Sequence, residues 1–308
     1  MESLYLPLED EHYPALKSLR NRSNTRGLMQ LTIHLGLLLI SGSVVAWVAD
    51  TVWYWPAAFV YGVVLTFLFA PLHECLHNSA FKSPRINDWL GKVIGLILIL
   101  PRNYFRCFHF AHHRYTQLNE KDPELSQPKP NSLGSYLRYV SGVGYWREQI
   151  PLTLKHALGR VDAPFISTQA VPGVIKEARV SVLIYAVIIV ASFVTGNRAA
   201  LIYWFIPMVL GQPMLRLFLL AEHTGCEEVA SMLRNSRTTL TNRLVRLLSW
   251  NMSFHTAHHL APAVPFHLLP DATRIIAKRC LITDQGYIQV HTKLLSKMRK
   301  STFPQPKS

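Results

Sequence analysis

Eight of the fourteen histidines in this 308-residue chain fall in three five-residue windows: HECLH at 73–77, HFAHH at 109–113 and HTAHH at 255–259. Imidazole is a ligand for Zn, Cu, Fe and Ni. On a helix, residues three and four apart share one face with side chains about 5–6 Å apart. The spacing therefore predicts that His73/His77, His109/His112/His113 and His255/His258/His259 each direct imidazoles toward a common point. His223, in AEHTG, ends a long apolar run and is a ninth candidate. Nine imidazoles are too many for one ion, since zinc takes about four ligands and an octahedral metal about six, so two metals are implied. No inward Glu recurs on several helices, which argues against a soluble ferritin-like carboxylate site. HECLH also matches H-E-x-x-H, which would make Glu74 the general base of a zinc membrane protease. That alternative leaves HFAHH and HTAHH without a task. A histidine-rich transporter would place its ligands near the midplane of its spans, which these windows do not.

The elements that must position these residues are apolar runs. Residues 28–49 and 51–72 contain no Asp, Glu, Lys or Arg apart from Asp50 between them, and Trp47, Trp53, Tyr54 and Trp55 stand at the junction. Each run is long enough to cross a hydrocarbon core of about 30 Å, and the aromatic junction suits an interface. Residues 180–195 and 199–221 form a second pair joined by Gly196, Asn197 and Arg198. Residues 93–101 are apolar but too short to cross, so a re-entrant, interfacial or buried segment is expected. The polar residues ahead of the first run, with Glu2, Glu9, Asp10 and Glu11, argue against a cleavable signal. With four spans, 30 of the 32 Lys and Arg fall on one side, together with all three histidine windows, and that excess points to the cytoplasm.

The expected fold is thus an all-α integral membrane protein: four transmembrane helices in two hairpins under a cytoplasmic, histidine-rich helical cap. One domain would run from 1 to 308: a cytoplasmic segment 1–27, hairpin 28–72, cap 73–179, hairpin 180–221, and cap plus tail 222–308. Composition agrees. At 49% hydrophobic, 16% charged and mean hydropathy +0.15, the chain is neither disordered nor a nucleic-acid binder, and its +14 charge suits a membrane surface. Cys75, Cys107, Cys226 and Cys280 form no C-x-x-C pair and would lie on the reducing side. Residues 121–133 read as a linker and 136–150 as an interfacial segment. Gln212 and Arg216, inside the fourth run, are expected to face the bundle or the interface, with Arg216 snorkelling to the boundary.

The order, spacing and topology of the three windows resemble the membrane-bound fatty-acid desaturase and hydroxylase family over roughly residues 28–270. The resemblance implies that His73, His77, His109, His112, His113, His223, His255, His258 and His259 hold two non-haem iron ions that activate dioxygen beside a lipid or other apolar chain. It implies a desaturase of an acyl-lipid or acyl-thioester, or on the same fold a hydroxylase of an acyl chain, carotenoid or secondary metabolite. A separate cytochrome b5 or ferredoxin would donate electrons, because the sequence has neither an H-P-G-G motif nor cluster-type cysteine spacing. The membrane would be a bacterial inner membrane or an endoplasmic reticulum. Ligating imidazoles commonly donate their second N–H to a carboxylate or carbonyl, so Glu74, Glu120, Asp122, Glu222 and Asn251 are candidate partners. His12, His34, His156, His267 and His291 stand alone and are left outside the ligand set.

Overall fold

Apolar content and helix caps together set the long elements. In the computed structural model, which describes residues 12–300, four helices are long and apolar enough to cross a membrane: Asn24–Trp47, Tyr54–Leu76, Val171–Thr195 and Leu201–His223. The acidic N-terminal stretch, the side chain of His12 and the tail TFPQPKS lie outside the described residues. After α1 (His12–Ser18), helix α2 (Asn24–Trp47) starts where Ser23 Oγ accepts from Arg26 N. Helices α3 (Tyr54–Thr66) and α4 (Phe69–Leu76) run on as one rod, so the second span carries the first histidine window on its last turn. Helix α5 (Pro84–Ile97) begins with Ser83 as N-cap and Pro84 in the first turn. Its apolar end is the short run 93–101. The carbonyls of Leu96 and Ile97 accept from Tyr185 Oη and Trp204 Nε1, both at 2.7 Å, so this run is packed against two long helices.

Helix α6 (Arg102–Tyr115) carries the second window and has no cap of its own. Its first two amides donate instead to the Glu177 carboxylate of α9 (Val171–Thr195), at 3.0 and 2.6 Å. A carboxylate at the positive end of a helix is favourable, and here it ties the window to the third span. Helices α7 (Leu133–Val140) and α8 (Val143–Ala157) lead into α9. The fourth span opens on a wide π-turn, Leu201–Phe205, and continues as α10 (Ile206–His223). Beyond it lie α11 (Met232–Asn235), α12 (Arg243–Leu248), α13 (His255–Leu260), α14 (Leu269–Ile276) and α15 (Tyr287–Arg299). The all-α expectation needs one correction. Strands β1 (Thr238–Leu240) and β2 (Thr283–Gln285) pair in parallel, Thr238 opposite Thr283, and Thr239 N donates to Ser253 O at 2.8 Å. This short ladder ties the chain end to the segment leading into the third window.

The second and fourth spans form the centre of the bundle: 56% and 44% of their apolar windows are buried, against 11% for the first and third. Their contact runs through two glycines. A Cβ on Gly62 would overlap the carbonyl of Pro207, and one on Gly211 would overlap the Gly62 backbone. Small residues permit this approach where lipid gives no hydrophobic drive to helix pairing. Since the first window ends one rod and His223 ends the other, the glycine crossing fixes their separation. Gly211→Ala is expected to lower stability by about 1–3 kcal/mol, seen as a lower thermal midpoint in detergent. Gly36→Ala on α2, where a Cβ meets open space, should leave the midpoint unchanged.

Candidate metal centre

All nine candidate histidines come together, in two groups. His73, His77, His109, His113 and His258 form one, His112, His223, His255 and His259 the other, with donor atoms in each within 4.8 Å of one another. The expectation that each window converges on a single point is corrected for the second and third. Side chains turn about 100° per residue on a helix. Residues i and i+4 therefore point almost the same way, while i+3 points aside. His109 and His113 enter the first group and His112 the second; His255 and His259 enter the second and His258 the first. Each H-x-x-H-H window spans both groups. Stacked rings of His113 and His259, with centroids 4.1 Å apart, mark the shared wall.

Contacts within the groups run through Nε2 atoms. His77 and His113 each face His109 Nε2, at 2.8 and 3.0 Å, and His258 faces His113 at 3.0 Å. In the second group His223 Nε2 lies 3.2 Å from His112 and 2.8 Å from His255. Acceptors behind the rings decide which nitrogen carries hydrogen. His112 Nδ1 donates to Asp122 at 2.9 Å, and His223 Nδ1 donates to the Asn235 carbonyl at 2.9 Å. Thr116 Oγ1 gives its proton to the His112 carbonyl, so His259 Nδ1, 3.2 Å away, donates to that oxygen, leaving its own Nε2 buried without a partner. With Nδ1 protonated in both, His112 and His223 aim Nε2 lone pairs at each other.

Facing lone pairs in a buried place need a cation between them. Protons supply it poorly. Burial, with neighbouring histidines adding to it, holds His109, His113, His255, His258 and His259 well below the ordinary imidazole pKa, and burial with Arg106 nearby lowers His77 to about 3. His112 is the exception: burial pushes it down, but Glu124 and Asp122 outweigh that and leave it raised, so at this one pair a proton on His112 Nε2 can stand where the other imidazoles would need a metal. Neutral imidazoles with converging, unprotonated nitrogens fit a metal ion in each group. Among the described residues, no thiolate and no carboxylate belongs to either group.

Among the proposed supporting residues, Asp122 holds His112 and also accepts from the amides of Gln117 and Glu124, at 2.8 and 3.0 Å. Glu222 lies 3.3 Å from His255 Nδ1 but is not aligned for a hydrogen bond. Glu120 is exposed and touches no histidine. Asn251 donates to the Phe266 carbonyl instead. Glu74 also turns away: its Oε2 accepts from Phe266 N at 3.1 Å, and it joins neither group, which removes the geometric basis of a protease base. Sequence reasoning missed Thr116, Glu124 and Asn235. Thr116 stands three residues past His113, within legible range; Asn235 acts through a carbonyl, which no residue type announces. Of the solitary histidines, the four with described side chains stay outside: His34 Nε2 lies 2.9 Å from Val64 O, His156 packs on Tyr104, His291 bridges Tyr136 and Leu217, and His267 meets Phe266.

Left-handed backbone flanks every window. Asn78 (φ 54°) follows the first, Gln117 (φ 62°) the second, and Trp250 (φ 48°) and Asn251 (φ 59°) precede the third. Such residues cost of order 1–3 kcal/mol each and persist where surrounding structure enforces them. At Gln117 the turn aims an amide at Asp122. Asp122→Asn is expected to weaken metal binding about 10–100-fold, measured by metal retention against a graded chelator. Glu120→Gln should match the parent chain.

Comparisons with known proteins bear on the chemistry. A family model described as "Fatty acid desaturase" matches residues 50–291. The chain is 25% identical over 239 residues to the sn-1 oleoyl-lipid 12-desaturase of Picosynechococcus sp., covering 70% of this chain and 67% of that one. It is 26% identical over 242 residues to a chloroplastic omega-3 fatty acid desaturase of Glycine max, covering 71% of this chain but 52% of the relative. It is also 25% identical over 257 residues to the dihydrorhizobitoxine desaturase of Bradyrhizobium elkanii, with 77% and 70% covered.

Proposed function

The chain belongs to the fatty acid desaturase family, and on that premise we propose that it is a membrane di-iron desaturase that introduces a double bond into an acyl chain. The observation that carries this reading is the pair of all-imidazole groups sharing two H-x-x-H-H windows. His73, His77, His109, His113 and His258 would hold one iron, and His112, His223, His255 and His259 the other. When bound, the irons supply what no side chain can, oxidation of an unactivated methylene pair by dioxygen with two electrons from a separate carrier.

The protein's own part is to hold the donors ready. Asp122 and the Asn235 carbonyl keep hydrogen on the outer nitrogens of His112 and His223. Burial keeps the other cap imidazoles neutral, so binding a metal displaces few protons. His73 and His223 lie near the ends of the second and fourth apolar helices, so in a bilayer they would stand close to the membrane boundary, where an apolar chain would approach them. In the proposed topology residues 28–72 and 180–221 are two hairpins and 1–27, 73–179 and 222–308 face the cytoplasm. The 30 cations on that face would meet anionic lipid and an acidic electron donor of the cytochrome b5 or ferredoxin class.

Metal analysis of the purified chain tests this: close to two irons per chain is expected, and one zinc with negligible iron overturns it. Lipid extracts of cells expressing the parent chain should contain a double bond that is absent with His112→Ala.

A further inference from the structure

The flank of α10 carries charge where a tunnel for a hydrocarbon would carry none. Arg216 lies two turns before His223, within a helix apolar enough to cross a membrane. A cation there is costly and marks a functional position unless it escapes to the surface. The snorkelling expected of Arg216 is not what the fold gives it. Its guanidinium lies over the ring of Tyr145, 4.3 Å from the centroid. With its amide oxygen turned inward, Gln212 accepts from Arg216 Nε and Nη2 at 3.2 and 3.1 Å. The Tyr139 hydroxyl also bonds to it.

The surroundings are built rather than incidental. Gln212 is 2% exposed and pinned by the α7–α8 turn, where Gly142 (φ 72°) approaches so closely that a Cβ would overlap the Gln212 side chain. Burial raises the Tyr139 hydroxyl, and raises that of Tyr145 to about 12, despite the cation beside them, so both remain donors at neutral pH. Glu124 feels the charge of Arg216, but among the described residues no carboxylate forms an ion pair with it. Glu124 and Glu222 turn to His112 and His255, at 3.6 and 3.3 Å, and Lys129 donates to Gln117 Oε1. Glu124 is itself 39% exposed. Arg216 is only partly buried, so its guanidinium is not closed off by the protein.

We propose that Arg216, with Tyr139, Tyr145 and Gln212, binds the carboxylate of an unesterified acid substrate. The inference rests on the desaturase reading and narrows it. A planar guanidinium fork matches a carboxylate in two parallel hydrogen bonds, and the tyrosine hydroxyls add donors. An esterified acyl chain brings no charge to this point and leaves the cation unmatched, which selects against it. Seven helical residues separate the levels of Arg216 and His223 by on the order of 10 Å, so the oxidised carbons lie near the carboxylate end of the substrate.

The test is a binding titration on the full, metal-loaded chain in detergent with three probes: decanoate, methyl decanoate and decyl phosphate. Decanoate is expected to bind about tenfold more tightly than either of the others. Arg216→Met should abolish that preference while thermal midpoint and metal content stay at parent values, and Tyr139→Phe should reduce it. Should Arg216→Met not fold, Arg216→Lys, which keeps the charge and loses the fork, decides: a weaker preference supports the proposal and an undiminished one overturns it. Equal binding of acid and ester, tighter binding of the phosphate, or a preference that survives Arg216→Met also overturns it. Lack of iron, or of a desaturated product in cells, with decanoate preference intact sinks the desaturase reading alone.

Discussion

Two imidazole nitrogens, each with its hydrogen committed to an acceptor behind the ring, face one another at 3.2 Å inside the fold. Without a metal ion or a proton between them this arrangement is repulsive and costs burial as well. Much of the rest of the structure exists to make that confrontation unavoidable: a carboxylate behind His112, a carbonyl behind His223, and a hydroxyl behind His259 that has already spent its own proton.

The long helices serve the same end by different contacts. Gly62 and Gly211 let the second and fourth spans approach, which sets the distance between the first histidine window and His223. Glu177 caps α6 from α9 and so sets the second window against the long apolar helices. The third window arrives on a short helix held from outside: β1 anchors the preceding loop through Thr239, and Thr256 donates to the Ser236 carbonyl at 3.1 Å. A rigid cap of short helices thus depends on four rods whose own packing is loose on the outside and close at the centre.

Charge is distributed with the same economy. Most of the described Lys and Arg side chains are exposed. Arg237 is an exception, buried and bonded to Asp284 at 2.9 Å and to the carbonyls of Ala221 and Thr224, which ties the parallel strands to the end of α10. Arg216 is another, and it lacks such a carboxylate. The contrast between these two arginines, one matched by the protein and one left to hydroxyls, an amide and an aromatic face, is what distinguishes structural cation from binding cation here.

The sequence by itself determined the four apolar rods and the nine histidines and raised the expectation of two metals, because these depend on local composition and spacing that survive any folding outcome. The 100° turn per residue even contains the division of each H-x-x-H-H window between two groups, although reading a window as a single face hides it. Tertiary structure alone decided the rest. Asn235 and Thr116 act across gaps in the chain, Glu74 and Asn251 are claimed by the loop around Phe266, and the β1–β2 ladder joins segments more than forty residues apart. Arg216 reads as a snorkelling side chain until α7 and α8 close over it. In each case the deciding quantity is which groups meet after burial has removed water as a partner, and a linear sequence does not record that.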